Sequence, residues 1–416
     1  MTDEKLDQIN LIKLIEIILD KNYKYVQIHG YKGYDPQLYW YLFFTNKANH
    51  NPSFINKVFR KIEINIIKYF PKLLKPYLKL LKIDGMELVP YGLGVFLQAY
   101  VNLYQILRKD QYLDEAKKVA KLLESKLIIT ENGRGIPDSE KKLGAKGKLF
   151  NSITNNNTIY LPGGAEAFFG FFNLYEKTNN TFYLEIAKSI VDAFIFDFKL
   201  KELNENQIVL NYSNANDDSH VLNANALAGA AIGKICKYYP SKEYKSILEK
   251  IYYYLMPYLE YKEIPYAGVE DRNFNKYWNT CDTYHTGFTL RGLYDIALVL
   301  NQDTSLIIRK VKNMMEQFID KKGNINVYSN QSSNITDIHA VAEYIHIYAK
   351  FYEFFSGNEH KKYNEVVIKN INKMIKPDKS SYFYKKYGNI KIDLYMPRWG
   401  QAPMMNALSI LLQKIK

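Results

Sequence analysis

The stretch WNTCDTYHTGF, residues 278–288, stands directly before an apolar segment that runs to about Leu300. It contains an indole, a carboxylate, a phenol, an imidazole and a glycine. The segment behind it has the apolar pattern of a buried helix. Polar and aromatic groups at the start of a helix can bind a ligand through hydrogen bonds and through stacking. We therefore predict a loop that begins a helix and contributes ligand-binding side chains.

The same arrangement recurs along the chain. Comparable openings stand at Gly164, Asn223, Asp282, Asp337 and Trp399, roughly 55–62 residues apart, which is the length of one helical hairpin with its loop. Each opening precedes an apolar helix that is rich in small residues such as Gly and Ala. An amphipathic helix with outward Lys and Glu follows in each repeat but the last. The predicted pairs are 91–107 with 112–127, 165–175 with 181–198, 226–239 with 244–259, 288–300 with 304–319 and 340–355 with 360–375, followed by a single helix over 401–415.

These pairs predict an all-α fold, an (α/α)6 toroid or six-hairpin barrel with inner and outer rings of helices. Short extended segments at 207–212, 264–267 and 325–328 are expected at its rim. The sixth inner helix needs an outer partner from residues 1–82. We expect residues 1–87 to close the outer ring and residues 88–416 to form the toroid, as one domain overall. An open α-solenoid is the alternative.

Composition limits the classes of function. The chain has 416 residues, 47% of them hydrophobic, which excludes global disorder. Its net charge is 56 − 43 = +13, but the lysines are spread along the whole chain and no RNP-type, zinc-finger or helix-turn-helix signature is present. We therefore predict no nucleic-acid partner. The acidic start and the lack of an apolar run of about 18 residues predict a cytoplasmic protein.

We predict neither a disulfide framework nor a Cys-rich metal site. Cys236 and Cys281 alone cannot build a disulfide framework or a Cys-rich zinc site. The histidines and carboxylates show no dense set with zinc-ligand spacing, although a single Asp–His pair could hold a divalent ion. We predict neither a metal nor a cofactor.

Residues 54–82 form a basic amphipathic segment. Eight cations stand against one acid, Glu63, with Ile and Leu between them; the cations are Lys57, Arg60, Lys61, Lys68, Lys72, Lys75, Lys79 and Lys82. The simpler interpretation is an outer helix with a solvated face. The alternative is peripheral contact with an anionic membrane or with an acidic lipid-linked substrate.

In a toroid, the loops that enter the inner helices converge on one face, where free N–H groups and helix dipoles favour anionic ligands. Three of the seven histidines fall at these openings, each two or three residues after an aspartate. A carboxylate can orient an imidazole and raise its pKa, which makes a general acid/base. The aspartates could equally be simple helix caps. The candidate residues are Tyr91, Asp218, His220, Glu270, Trp278, Asp282, Tyr284, His285, Asp337, His339, Arg398 and Trp399.

Three motifs also resemble a known family. DTYHTGF at 282–288, DIH at 337–339 and RWGQA at 398–402 are similar, in this order, to motifs of six-hairpin exopolysaccharide-biosynthesis proteins. The wider six-hairpin glycosidase-like group includes unsaturated glucuronyl hydrolases, sugar 2-epimerases and archaeal protein-glycosylation accessory proteins. The resemblance covers about residues 88–416 and implies assembly or modification of a surface glycan.

The first hypothesis is a carbohydrate-active enzyme for an acidic, uronic-acid-type glycan or its lipid-linked precursor. Its reaction would be hydrolysis, epimerisation or elimination. Asp282 and His285 form the predicted acid/base centre, with Asp337 and His339 second. Trp278, Tyr284 and Trp399 would stack on the sugar, Arg398 would pair with a carboxylate, and the predicted further binding residues are Tyr91, Asp218, His220 and Glu270.

Two other classes remain open. The first is a non-catalytic glycan-binding scaffold that assists a membrane glycosyltransferase, which the basic segment 54–82 favours. The second is terpene or prenyl chemistry, which also uses helical toroids. It needs Asp-rich clusters or a zinc site, and the pair Asp217-Asp218 alone supports it only weakly. The sequence leaves the sugar, the linkage and the oligomeric state undetermined.

Overall fold

The computed structural model describes residues 3–36, 53–69, 73–80, 86–137, 158–215, 218–271, 281–329 and 335–416. Trp278 lies outside these ranges. The described chain is mostly helical, with short antiparallel strand pairs. The helices are α1 (Asp3–His29), α2 (Phe54–Tyr69), α3 (Leu74–Leu80), α4 (Pro90–Leu107), α5 (Asp110–Glu124), α6 (Leu161–Thr178), α7 (Thr181–Phe196), α8 (Leu222–Cys236), α9 (Lys242–Leu255), α10 (Thr283–Val299), α11 (Ser305–Gln317), α12 (Ile338–Lys350), α13 (Gly357–Met374) and α14 (Ala402–Ile415). The strands are β1 (Ile128–Ile129), β2 (Arg134–Gly135), β3 (Leu200–Asn204), β4 (Gln207–Leu210), β5 (Ile335–Asp337), β6 (Lys385–Tyr387) and β7 (Ile390–Ile392).

Six helices form a closed inner ring: α4, α6, α8, α10, α12 and α14. Each packs against the next in chain order, and α14 packs against α4. The amphipathic helices α5, α7, α9, α11 and α13 pack outside the inner helices that precede them. A helix that contacts neighbours on several sides must be apolar on several sides, and α8 is buried at almost every residue from Leu222 to Ile235. The predicted (α/α)6 toroid is confirmed.

The N-terminal helix α1 lies in the outer ring. It packs against α14 and α13. Leu11, Ile15 and Ile18 are fully buried there, and the Gln8 side chain donates a hydrogen bond to the carbonyl of Ile415 at 2.8 Å. The division of the chain at residue 87 stays a prediction.

Glycines let neighbouring inner helices touch at their backbones. A Cβ on Gly94 of α4 would lie 2.7 Å from the carbonyl carbon of Glu166 in α6. A Cβ on Gly292 of α10 would lie 2.6 Å from the backbone of Ala226 in α8. Such distances are closer than van der Waals contact, so the two helix pairs need glycine at these positions. The small residues of the inner helices therefore serve close packing.

Extended segments at the rim hold the starts of the inner helices. Tyr160, before α6, pairs with Ser213, and Val221, before α8, pairs with Ala267. The strand β5, before α12, pairs with β6, which pairs in turn with β7. Asp282, before α10, pairs with Tyr328, so the predicted extended segments at the rim are confirmed.

Four inner helices begin earlier than the sequence predicts. The predicted starts are residues 165, 226, 288 and 340, whereas α6, α8, α10 and α12 begin at Leu161, Leu222, Thr283 and Ile338. For α10 and α12 the reason is that Asp282 and Asp337 act as N-caps, whose carboxylates accept backbone N–H groups and so allow the helix to begin directly behind them. His285 and His339 consequently lie in the first turns of helices and not in loops.

Residues 54–69 and 74–80 are helical, within the predicted basic segment. In the described part of the chain, no helix combines the length and the apolarity that crossing a bilayer requires.

Candidate functional site

The N-terminal ends of the six inner helices surround a pocket of about 130 Å³. Among the described residues that line it there is no Asp and no Glu. Its ionisable side chains other than tyrosine are two imidazoles and one guanidinium, those of His285, His339 and Arg398. The wall is mostly aromatic and includes Tyr160, Tyr212, Tyr266, Tyr284, Phe288 and Trp399.

The first imidazole is held by the N-cap of its own helix. One carboxylate oxygen of Asp282 accepts the backbone N–H of His285 at 2.8 Å, and the other accepts the Nδ1–H of the same residue at 2.7 Å. Asp282 is buried, whereas His285 is partly exposed to the pocket. Tyr266 meets the imidazole edge-on at 4.6 Å between ring centroids. Because Nδ1 donates to the carboxylate, Nε2 is the nitrogen that remains to accept a proton.

The second imidazole, that of His339, is held by the segment directly before α14. His339 Nδ1 lies 2.9 Å from the carbonyl oxygen of Trp399. A carbonyl only accepts hydrogen bonds, so Nδ1 bears the proton and Nε2 is again the basic nitrogen. The imidazole also stacks on the Trp399 indole, with 4.2 Å between centroids and 18° between planes, and Tyr284 meets it edge-on at 5.1 Å.

Burial sets the charge of this second imidazole. It lowers the pKa of His339 to about 4, against the opposing effect of the nearby Asp337 carboxylate. His339 is therefore neutral near pH 7 and can act as a base.

Asp337 lies behind the pocket wall. One carboxylate oxygen accepts the backbone N–H of His339 and the indole N–H of Trp399, both at 2.9 Å. The other oxygen lies 2.9 Å from the Lys385 ammonium. Asp337 is buried and bonded to His339 and Trp399, and it does not line the pocket.

Arg398 lies in the pocket wall with a carboxylate partner of its own. Its Nε and Nη2 donate to the two carboxylate oxygens of Asp35 at 2.5 and 2.7 Å. The guanidinium lies over the rings of Tyr91 and Trp399, 5.8 and 5.7 Å from their centroids. A bidentate pair of this kind fixes the plane of the guanidinium at the edge of the pocket.

The structure thus brings eight predicted site residues together in or directly behind one pocket, and places others elsewhere. Tyr91, Tyr284, His285, His339, Arg398 and Trp399 line the pocket, with Asp282 and Asp337 behind it. Asp218, His220 and Glu270 line a second cavity of about 420 Å³, which we name the side cavity. The predicted stacking residue Trp278 cannot be placed, because it lies outside the described residues.

A buried ion cluster lies below the pocket. Arg291 Nη2 donates to Glu166 at 2.6 Å, and its Nε lies 3.2 Å from Glu343 without the alignment of a hydrogen bond. A cavity of about 20 Å³ borders these three residues and shares Tyr91 and His339 with the pocket. Burial raises the pKa of Glu343 to about 8, although the neighbouring guanidinium opposes this shift.

The sequence analysis did not select Tyr160, Tyr212 or Tyr266 among the site residues. Tyr160 stands directly before α6, at the position that Asp282 has before α10. Tyr212 and Tyr266 lie in rim segments that pair with helix starts, as shown by the bonds from Leu161 N to Tyr212 O and from Leu222 N to Tyr266 O. Tyr160 directly precedes a predicted helix opening, and Tyr212 and Tyr266 lie in the predicted rim segments 207–212 and 264–267, so the sequence does carry a signal for all three.

Metal binding has no support from the described residues, where no three His, Cys, Asp or Glu side chains come together as possible ligands.

The comparisons with known proteins are structural. No family model matches this sequence, and no curated protein matches it. Solved structures do match. The chain is similar to the cellobiose 2-epimerase of Bacillus thermoamylovorans, with 14% identity, a TM-score of 0.58, and coverage of 78% of this chain and 87% of the other.

Two further solved structures have the same fold. An α-1,6-mannanase of Salegentibacter sp. HEL1_6, solved with α-1,6-mannotriose, is 10% identical with a TM-score of 0.56, over 80% of this chain and 92% of its own. A polysaccharide lyase is 12% identical with a TM-score of 0.54, over 78% of this chain and 90% of its own. At these identities the likeness establishes the fold, the six-hairpin toroid.

Proposed function

We propose that this protein is a carbohydrate-active enzyme that transfers a proton at a sugar carbon, with His285 and His339 as the acid/base pair. One observation supports this most directly. Two imidazoles face the same aromatic pocket, and each has its Nδ1 occupied by a hydrogen-bond acceptor, which leaves Nε2 for the ligand. Such a pair suits a reaction that removes a proton at one point and delivers a proton at another.

The proton balance is simple for a sugar with an acidic C–H beside a carbonyl or carboxyl group. One imidazole takes the proton from carbon, and its electron pair forms an enolate. In an epimerisation, the other imidazole returns a proton to the opposite face of that carbon. In an elimination, the enolate electrons expel the neighbouring oxygen, and the second imidazole protonates that leaving group.

Hydrolysis has weaker support. Most glycoside hydrolases use two carboxyl groups that flank the glycosidic bond. The described lining of the pocket contains no carboxylate, and Asp282 and Asp337 are buried behind their imidazoles. Among the neighbours, the epimerase and the lyase therefore offer the more relevant chemistry.

The aromatic wall supports a sugar ring as the ligand, because an aromatic face packs against the C–H surface of a pyranose. An acidic, uronic-acid-type glycan stays the proposed substrate class, with Arg398 as the contact for its carboxylate. We place the activity in surface-polysaccharide or glycoprotein glycan biosynthesis, on a glycan or a lipid-linked precursor.

Deuterium exchange tests the proposal. The protein is incubated in D₂O with cellobiose, mannotriose and oligogalacturonates, and NMR is used to find deuterium on a sugar carbon or a new double bond. His285→Ala and His339→Ala should each lower the exchange rate on the order of 10²–10⁴-fold. His29→Ala, on exposed α1 surface, is the matched control and should keep the wild-type rate. Exchange that persists in both pocket variants would refute the assignment.

A second candidate function rests on α2. Its apolar side chains point to solvent: Phe54 is 81% and Ile55 is 64% exposed, and Phe59, Ile62 and Ile66 are also exposed. Lys57, Arg60 and Lys61 of the same helix are exposed as well. An exposed apolar stripe beside cations is the composition of a helix that lies in the interface of an anionic membrane. This favours a peripheral protein, including a non-catalytic glycan-binding scaffold that assists a membrane glycosyltransferase.

Vesicle binding tests the second candidate. Wild-type protein should sediment with vesicles that contain phosphatidylglycerol and not with vesicles of phosphatidylcholine alone. Ile62→Asp should abolish this binding, whereas Val269→Asp, at an exposed apolar residue of the rim, should retain it. Equal sedimentation with both vesicle types, or wild-type vesicle binding by Ile62→Asp, would exclude α2 as a membrane contact.

A further inference from the structure

The side cavity contains a polar group that the fold leaves without a partner. The His220 side chain is 1% exposed, and neither ring nitrogen has a hydrogen-bond partner. The nearest carboxylate oxygen, on Glu270, lies 3.7 Å from Nδ1, which is beyond hydrogen-bond distance. An unsatisfied buried polar group destabilises a fold, so natural proteins keep few of them. The imidazole therefore needs an explanation other than stability.

Neighbouring segments hold the backbone of His220 in place. The backbone N–H of His220 donates to Asp271 at 2.9 Å, and its carbonyl accepts the N–H of Gly268 at 2.9 Å. Glu270 is held just as firmly, because Tyr254 and Tyr258 donate to its two oxygens at 2.5 and 3.1 Å. The site is built before any ligand arrives.

Charged groups of both signs surround the side cavity. The Lys199 ammonium lies 3.0 Å from Asp218, and the Lys250 ammonium lies 3.1 Å from Glu202, while Lys201 and Glu270 also line the cavity. Burial lowers the pKa of His220, which makes its imidazole neutral. A site with a neutral imidazole, carboxylates and ammonium groups offers both donors and acceptors. It suits a neutral hydroxyl-rich group better than a metal ion or a phosphate.

The side cavity lies next to the pocket. His220 and Asn223 are three residues apart at the start of α8, and they line the side cavity and the pocket respectively. Tyr266 and Glu270 are four residues apart on the rim segment that pairs with this helix start. Tyr266 lines the pocket and Glu270 lines the side cavity. Val221 and Ala267 join the two segments between these positions, so the pocket and the side cavity lie on the two sides of one strand pair.

We propose that the side cavity is a second sugar subsite, in which His220 and Glu270 hydrogen-bond the hydroxyl groups of a residue linked to the sugar in the pocket. The substrate is then an oligosaccharide or a longer glycan, and not a monosaccharide. This inference rests on the proposed carbohydrate function and deepens it.

Calorimetric titration with saccharides of increasing length tests the subsite. The probes are mannose with mannotriose, glucose with cellotriose, and galacturonic acid with its trimer. In at least one series the wild type should bind the trimer more tightly than the monomer. His220→Leu should reduce that advantage about tenfold, the equivalent of one lost hydrogen bond, and leave monomer affinity unchanged.

Melting temperature gives an independent readout. His220→Leu should melt at the wild-type temperature or above it, because it removes two unpaired nitrogens from a buried position. His360→Leu is the matched control, since the His360 ring nitrogen is bonded to the Tyr348 hydroxyl at 3.0 Å. The control should lose stability and keep the preference for trimers.

Three results overturn the subsite. Equal affinity for monomers and trimers in the wild type refutes it and leaves the proposed function intact. A His220→Leu variant that melts lower and keeps the length preference assigns the imidazole a structural role. Failure of the wild type to bind any saccharide refutes the carbohydrate function and the subsite together.

Discussion

At the scale of single residues, the site depends on what each histidine meets at Nδ1. His285 meets a carboxylate and His339 meets a backbone carbonyl. Both partners accept a hydrogen bond from Nδ1 and leave Nε2 for the ligand. Burial, and not the Trp399 carbonyl, lowers the pKa of His339 and keeps its ring neutral.

Asp282→Asn should leave the fold intact and impair the reaction. Asn is as good an N-cap as Asp, so the melting temperature should change little. His285 loses the anion that orients it, and the exchange rate in D₂O should fall on the order of 10²-fold or more. Asp303→Asn is the matched control, because Asp303 bonds the backbone N–H of Ser305 near the start of α11, outside the pocket. A wild-type rate in Asp282→Asn would exclude the carboxylate from the acid/base centre.

Glu343→Gln should change how stability depends on pH. The folded-state pKa of Glu343, about 8, is above its unfolded value of 4.5. The folded protein therefore holds a proton that the unfolded chain releases, and its stabilising effect is complete below pH 4.5 and lost as the pH rises through 8. Arg291, Glu166 and His346 face this group.

Chemical denaturation at several pH values measures this effect. The wild type should lose stability between pH 5 and pH 8 relative to Glu343→Gln, which has no proton to release at this position. Parallel curves for the two proteins would show that Glu343 is already ionised in the folded state.

The sequence indicates most of the pocket's chemistry, and the part it misses has a physical reason. His285, His339 and Trp399 stand at helix openings, so their convergence follows from the toroid alone. That Asp337 faces inward, toward Lys385 and Trp399, follows from the pairing of β5 with β6, nearly fifty residues further along. Pairing at such a distance has no local signal in the sequence.

At the scale of elements, local sequence determines where helices begin, and neighbours determine how closely they pack. The prediction placed the starts of α10 and α12 a few residues late because it treated polar residues as loop residues. Asp282 and Asp337 instead satisfy the first N–H groups and bring the helix forward. The late starts are thus an error about capping and not about periodicity.

Gly94→Ala should destabilise the toroid. Its Cβ would meet the backbone of Glu166, which cannot rotate away, and the free energy of unfolding should fall by about 1–3 kcal/mol. Gly233→Ala, within α8, is the matched control: its Cβ would lie 3.2 Å from a Val299 methyl, and alanine favours the helix. Urea denaturation of the two variants gives the comparison. Equal stability in both would show that α4 and α6 separate without cost.

At the scale of the whole molecule, α1 and α14 join the two ends of the ring. Lys416 lies 2.6 Å from Glu16, and the buried face of α1 belongs to the same hydrophobic core as the inner helices. The sequence predicts this closure only by counting: five complete hairpins and one unpaired helix leave one outer position for the N-terminal segment.

Ile15→Ala should therefore weaken the entire toroid. Ile15 is fully buried, and the loss of its side chain should cost about 2–5 kcal/mol. Thermal unfolding followed by tryptophan fluorescence and by circular dichroism should show one shifted transition by both methods. Ile28→Ala, at an exposed position of the same helix, should behave like the wild type. Two separate transitions would instead indicate that residues 1–87 fold as an independent unit.

The contact between α4 and α14 also bears on how the chain is made. Asn102 donates a hydrogen bond to Asn406 across a sequence separation of 304 residues. The ribosome synthesises α4 long before α14. Until α14 is added, the inner ring of the nascent protein is open and exposes an apolar helix face at each end. Long-range pairing of this kind makes folding slow and leaves the incomplete chain prone to aggregation. We expect this protein to acquire protease resistance only after α14 has left the ribosome exit tunnel, and not at any earlier stage of synthesis.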